Sequence, residues 1–125
     1  MTAPRLLVID DDANFAALVQ TVAEERGFLV TVTDKGEDFK SAYMADPPSV
    51  IVLDIVMPEI DGIELMKWLA ERGCQAQVVI VSGYDPSYAR AAKAIAESQA
   101  GMTIQTLEKP VKLADLRAAI SAVDG

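Results

Sequence analysis

Short apolar runs recur along the chain at nearly even spacing: "RLLVID", "LVTVT", "VIVLD", "VIVS" and "TIQTL". Each is rich in β-branched residues, which predicts strands at Arg5–Asp10, Leu29–Thr33, Val50–Asp54, Val78–Ser82 and Thr103–Leu107. Several are apolar almost throughout rather than alternating, as expected of strands covered on both faces. The segments between them change to helical periodicity. Phe15, Leu18, Val19, Val22 and Ala23 form one apolar stripe, and Gly27 supplies its stop. Phe39, Ala42 and Tyr43 mark a short second helix that "DPP" at 46–48 terminates. Gly62, Leu65, Met66 and Leu69 face inward on a third, which closes near Gly73. Tyr88, Ala91, Ala92 and Ile95 supply an alanine-rich fourth, and Leu113, Leu116, Ile120 and Val123 the last.

Five strand–helix units predict an α/β fold: a doubly wound, five-stranded parallel sheet with right-handed crossovers and helices on both faces. The expected strand order is 2-1-3-4-5, the flavodoxin-like arrangement. A length of 125 residues suits one domain spanning 1–125. In such sheets ligands bind at the carboxyl ends of the strands, where the order reverses between strands 1 and 3.

Polar residues gather at that rim. Asp10, Asp11 and Asp12 close the first strand, Asp54 the third and Ser82 the fourth, while Lys109 follows the fifth. Each has a plain alternative: Asp11 or Asp12 could cap a helix, Ser82 a turn, and Lys109 could be a solvated cation. Their convergence from four strands argues for a site. Two like charges 5 Å apart repel by roughly 3 kcal/mol at an effective dielectric near 20. A domain stable by only about 5–15 kcal/mol would not keep such a cluster without a use.

Composition narrows the chemistry. There is no histidine, which excludes Ser-His-Asp and Cys-His mechanisms and the usual zinc sites. Cys74 is the only cysteine; it permits no internal disulfide and reads as a small residue near a helix end. Three carboxylates with water ligands suit a hard cation, which points to magnesium, Mg2+. Magnesium beside an exposed acid suggests phosphoryl transfer, with Asp54 as the nucleophile that becomes an acyl phosphate. Ser82 and Lys109 would contact phosphoryl oxygens. The net charge of −8 and the lack of a basic stripe argue against direct nucleic-acid binding. No apolar stretch is long enough for a membrane span or a secretory signal, so a cytoplasmic location is expected.

The ordered motifs "LLVIDDD", "VIVLDIVMPEIDG", "VIVSGYD" and "LEKP" resemble the receiver domain of two-component response regulators over essentially the whole chain. The resemblance implies Asp54 as phosphoacceptor, with Ser82 and Lys109 completing the catalytic set. It implies Asp11, Asp54 and the backbone carbonyl of Val56 as direct magnesium ligands, with Asp10 acting through a metal-bound water. It further implies a cis Lys109–Pro110 bond and a phosphohistidine donor on a sensor histidine kinase or histidine phosphotransfer protein. An output domain or protein partner would read the phosphorylated state. The function implied is signalling rather than enzymatic turnover.

The chain also departs from the family pattern. Thr106 stands where the family usually has an aromatic switch residue, which puts the usual coupling to Ser82 in doubt. Val56 and Tyr84 occupy positions that tune dephosphorylation and imply a long-lived phosphorylated state. The approach to strand 5, "QAGMTIQTLEKP", lacks the acidic pattern of receivers that dimerise through helices 4 and 5. A fainter likeness is to receivers joined to cyclic-dinucleotide phosphodiesterase modules. Trp68 reads as partly buried packing. Competing readings are a magnesium-dependent aspartyl phosphatase, a flavin-binding module and a receiver-like interaction module that is never phosphorylated. The phosphatase commonly has a D-x-D nucleophile strand and a cap domain, and the flavin module needs a Ser/Thr/Gly-rich loop where this chain has three acids.

Overall fold

The computed structural model describes residues 3–57, 60–83, 86–98 and 102–121. Its strands β1 (Arg5–Ile9), β2 (Leu29–Thr33), β3 (Val50–Asp54), β4 (Gln77–Ser82) and β5 (Thr103–Glu108) form one parallel sheet in the order β2-β1-β3-β4-β5. The helices between and after them are α1 (Ala13–Glu25), α2 (Gly36–Ala45), α3 (Gly62–Glu71), α4 (Pro86–Glu97) and α5 (Leu113–Ser121). The doubly wound architecture and strand order expected from the pattern are both present. A short antiparallel pair, Val56–Met57 with Ile60–Asp61, sits between β3 and α3. No helix among the described residues is long and apolar enough to cross a membrane.

Strand alternation divides the core in two. Leu7, Ile9, Ile51, Leu53 and Ile80 face one side and pack with Phe39, Met66 and Leu69 of α2 and α3. Leu6, Val8, Val50, Val52 and Val79 face the other and pack with Val19, Leu116 and Ile120 of α1 and α5. The near-continuous apolar runs of β1, β3 and β4 therefore reflect burial on both faces. The edge strands β2 and β5 are largely open, and Leu29 and Val32 stand exposed on β2.

Helix ends follow local chemistry. Asp12 caps α1, its carboxylate accepting from the backbone N–H of Asn14 at 3.0 Å and Phe15 at 3.2 Å. Gly27 adopts φ +85° just past the end of α1, a backbone conformation natural to glycine. Asp46 ends α2 immediately before the two prolines.

Several pattern-based expectations need correction. Asp10 lies one residue beyond β1, whereas Gln77 and Glu108 extend β4 and β5. Ala91 is exposed and Ala96 is buried in its place, because one turn on from Ala92 the inward row runs through Ile95 and Ala96. Leu113, the first residue of α5, is exposed ahead of the turn that packs on the sheet. Ala16 joins the buried stripe of α1, and Phe15 and Leu18 are only partly covered. The side chain of Tyr88, and Val123 altogether, lie outside the described residues.

Candidate functional site

Parallel pairing brings the carboxyl ends of β1, β3 and β4 side by side. Ile9 pairs with Leu53, and Asp54 with Val81, so Asp10 and Asp54 emerge from neighbouring strands and Ser82 follows on the next. The backbone continues the registration past the acids: Ile55 N–H donates to Val81 O at 3.0 Å, and Lys109 N–H to Ser82 O at 2.8 Å. Asp10, Asp54 and Ser82 are all buried, while Asp11 is exposed. Carboxylate oxygens of Asp10, Asp11 and Asp54 lie within 4.8 Å of one another, the proximity expected from the sequence.

Lys109 closes the cluster from the β5 side. Its ammonium donates to Asp54 Oδ2 at 2.9 Å and stands 4.0 Å from Asp10 Oδ2. The Lys109–Pro110 peptide is cis, as the resemblance implies. Phe15, assigned only to the helix stripe from the sequence, has its ring centroid 5.7 Å from the same ammonium. A cleft of about 500 Å3, lined by Asp12, Phe15, Gly83, Lys109, Pro110 and Val111, opens beside it.

The charges are unevenly satisfied. Asp10 Oδ1 accepts the backbone N–H of Asp12 at 2.8 Å, but Oδ2 is buried with no hydrogen-bond partner. Burial, reinforced by the charge of Asp54, pushes the Asp10 carboxyl up to about 6 despite the Asp12 N–H and Lys109. Burial works against the charge on Lys109, but its hydrogen bond to Asp54 and the charges of Asp10, Asp54 and Asp12 outweigh this and raise its pKa. An orphaned carboxylate oxygen beside two further acids, with only oxygen donors available, fits a hard divalent cation.

By its spacing Gly62 belongs only to the inward stripe of α3, with nothing in the pattern to tie it to the site. A Cβ on it would lie 2.5 Å from Ile55 O and 2.7 Å from Ile55 Cα. The start of α3 therefore presses on the backbone that directly follows Asp54. The signal was the Asp61-Gly62 pair at a helix start, whose significance only the tertiary contact reveals.

Val56 opens the short strand two residues past Asp54 and pairs with Asp61; its side chain and Tyr84 lie outside the described residues. Thr106 is exposed on β5 opposite Ile80 and takes no part in the cluster.

A family model of the response regulator receiver domain matches residues 6–121. The chain belongs to the response regulator receiver family. This receiver is 32% identical to the response regulator receiver protein CpdR of Brucella abortus, over 90% of this chain and 89% of that protein. It is 30% identical to the photosynthetic apparatus regulatory protein RegA of Rhodovulum sulfidophilum, over 94% of this chain but 61% of RegA. Against the regulatory protein PhoP of Bacillus subtilis, the matched span is only 35% of the relative's length. Among solved structures, a response regulator receiver from Bermanella marisrubri aligns over 99% of this chain and 100% of its own, with a TM-score of 0.83 and 26% identity. The Francisella response regulator 1452 receiver domain aligns over 96% and 95%, with a TM-score of 0.76 and 27% identity.

Proposed function

We propose that residues 1–125 act as one phosphoacceptor receiver domain, with Asp54 as the residue that takes the phosphoryl group. The observation that carries this is the buried Asp54 carboxylate held 2.9 Å from Lys109 Nζ beside a carboxylate oxygen that lacks a hydrogen-bond partner. Asp10, Asp11 and Asp54, with the backbone carbonyl of Val56, would hold magnesium, Asp10 through a coordinated water. Bound magnesium would supply electrostatic stabilisation of charge on the transferring phosphoryl oxygens.

The remaining steps belong to the chain and its donor. A carboxylate oxygen of Asp54 attacks phosphorus on a phosphohistidine of a kinase or phosphotransfer partner. The P–N bond breaks, its electron pair returns to the imidazole, and an acyl phosphate forms. Lys109 pairs with one phosphoryl oxygen, and the Ser82 hydroxyl donates to another. The cleft beside Phe15 is lined by Lys109, the residue whose ammonium donates to Asp54. The chain carries no histidine of its own, so the phosphoryl group comes from outside. The consequence of transfer is a signalling state read by an output domain or partner, without substrate turnover.

Incubation with magnesium and a small acyl-phosphate donor, followed by intact mass measurement, tests this reading. One added phosphoryl group is expected on the natural chain and none on Asp54→Asn. Turnover of phosphate esters without an adduct, or an adduct that survives Asp54→Asn, would overturn it.

A further inference from the structure

The far end of the sheet holds a second concave feature. A cleft of about 590 Å3 opens at the amino ends of β3, β4 and β5, where Ser49, Gln77 and Thr103 line it. Tyr43, Pro48 and Gln75 also line it, and none of the described residues that line it is charged. Amides and hydroxyls of this kind suit the polar backbone of an extended peptide, which offers both donors and acceptors.

Tyr43 joins the cleft to an aromatic cluster. Its ring meets Trp68 edge-on, with centroids 5.3 Å apart and planes at 76°. The Arg72 guanidinium lies 4.2 Å from the Trp68 ring centroid, and Lys40 Nζ lies 5.6 Å from it. Two cations, Lys40 of α2 and Arg72 just past the end of α3, therefore share one indole. Neither forms an ion pair among the described residues, although Arg5, Lys67, Lys109 and Arg117 all do. This is notable in a chain with 19 acids and 11 bases, where carboxylates are plentiful. An aromatic face attracts a cation without neutralising it, so both charges remain available to an anion. Met44, 61% exposed and one helical turn from Lys40, adds apolar surface beside them.

We propose that this pole is a docking surface for an acidic, extended peptide segment of a partner protein. Carboxylates of the segment meet Arg72 and Lys40, and its backbone takes the neutral donors and acceptors of the cleft. The net charge of −8 would repel a long polyanion that runs across the whole domain. A short acidic segment meets only the local pair of cations. The surface lies at the opposite strand ends from Asp54 and does not depend on phosphoryl chemistry.

Trp68 is the only tryptophan, so its fluorescence reports on this surface directly. The full chain is titrated with a capped peptide alternating Glu and Ser, and separately with the matched Gln–Ser peptide. A saturable change in emission is expected with the Glu peptide alone. Arg72→Gln and Lys40→Gln should each weaken it about tenfold, the loss of one charge-assisted contact. Arg90→Gln, which removes an exposed cation on α4, and Asp54→Asn should leave it unchanged. Circular dichroism checks that each variant is folded, and the Arg72 and Lys40 variants test the same surface from different segments. An equal response to the Gln peptide, no saturable response, or equal weakening by Arg90→Gln overturns the proposal. So does tighter binding to phosphatidylserine-containing vesicles than to the peptide. Retained binding by Asp54→Asn, whatever its phosphorylation result, separates this inference from the phosphoacceptor reading.

Discussion

At the carboxyl ends of β1 and β3, three acids crowd together against one ammonium, and a buried oxygen is left without a hydrogen-bond partner. At the amino ends of β3, β4 and β5, the cleft is lined by neutral groups, and the cations beside it rest on an indole. Both rims are built from ends of the same parallel strands. Helix polarity accounts for little of their difference. In a parallel α/β sheet, helices begin at the carboxyl rim and end at the amino rim, and helix N-termini favour anions whereas C-termini favour cations. Asp12 stands at the start of α1, and Arg72 directly follows the end of α3. Those two ends follow the rule, but no described helix has a basic residue in its last turn, and Glu25, Glu71 and Glu97 close α1, α3 and α4. What sets the acidic rim apart is that it gathers more charge than helix ends alone can balance.

The comparison is broken most strongly at Asp10. A carboxyl raised from 3.8 to about 6 in the folded chain binds its proton more tightly there than in the unfolded chain. Without a cation, its contribution therefore favours folding below about pH 4 and is lost as pH rises through about 6, a loss on the order of 3 kcal/mol. Denaturant melts of the metal-free chain at several pH values should follow this sign, and millimolar magnesium should reverse the loss at neutral pH. Asp10→Asn removes the unsatisfied charge and should stabilise the metal-free chain by about 1–3 kcal/mol at neutral pH while abolishing most of the magnesium response.

The next largest effect is expected at Gly62. Gly62→Ala places a methyl group against the Ile55 backbone and should destabilise by about 1–3 kcal/mol. Because Ile55 follows Asp54, magnesium titration of the folded variant should also show weaker binding. Gly36→Ala is the matched control. Nothing lies within 4 Å of a Cβ there, so the change should be neutral or stabilising by up to about 1 kcal/mol. Equal costs at the two glycines would show that the Ile55 contact does not constrain the acidic rim.

The smallest effect belongs to the opposite rim. Arg72→Gln removes a half-exposed cation–aromatic contact and should lower stability by about 0.5–1 kcal/mol, with no change in magnesium affinity. A large effect on the metal would show that the two rims are not independent.

Most of the architecture was legible because burial on both faces leaves little freedom in β1, β3 and β4. Val50–Asp54 has its predicted bounds, and strand ends in a parallel sheet bring Asp10, Asp11, Asp54, Ser82 and Lys109 to one rim once the order is known. Alanine weakened the pattern in α4. With Ala91, Ala92, Ala94 and Ala96 in one helix, hydrophobicity alone could not select the inward row, and Ala91 was placed inside in error. Leu113 misled for a related reason, since an apolar residue at a helix start need not reach the sheet. Phe15 beside Lys109 and Lys40 over Trp68 are contacts between distant segments. Local sequence carries no period that announces them.

Lys109 has a consequence for what a phosphoryl group could communicate. Taken as ionised, the three carboxylates and one ammonium carry a formal charge of −2, which a single magnesium ion would cancel. Conversion of Asp54 to an acyl phosphate dianion then adds only one further negative unit. Through solvent at physiological ionic strength the field of so small an increment is largely screened beyond about 8 Å. Were Asp54 phosphorylated, displaced atoms would carry the larger part of any message to a distant surface, beginning with the lysine that would meet a larger and differently shaped anion.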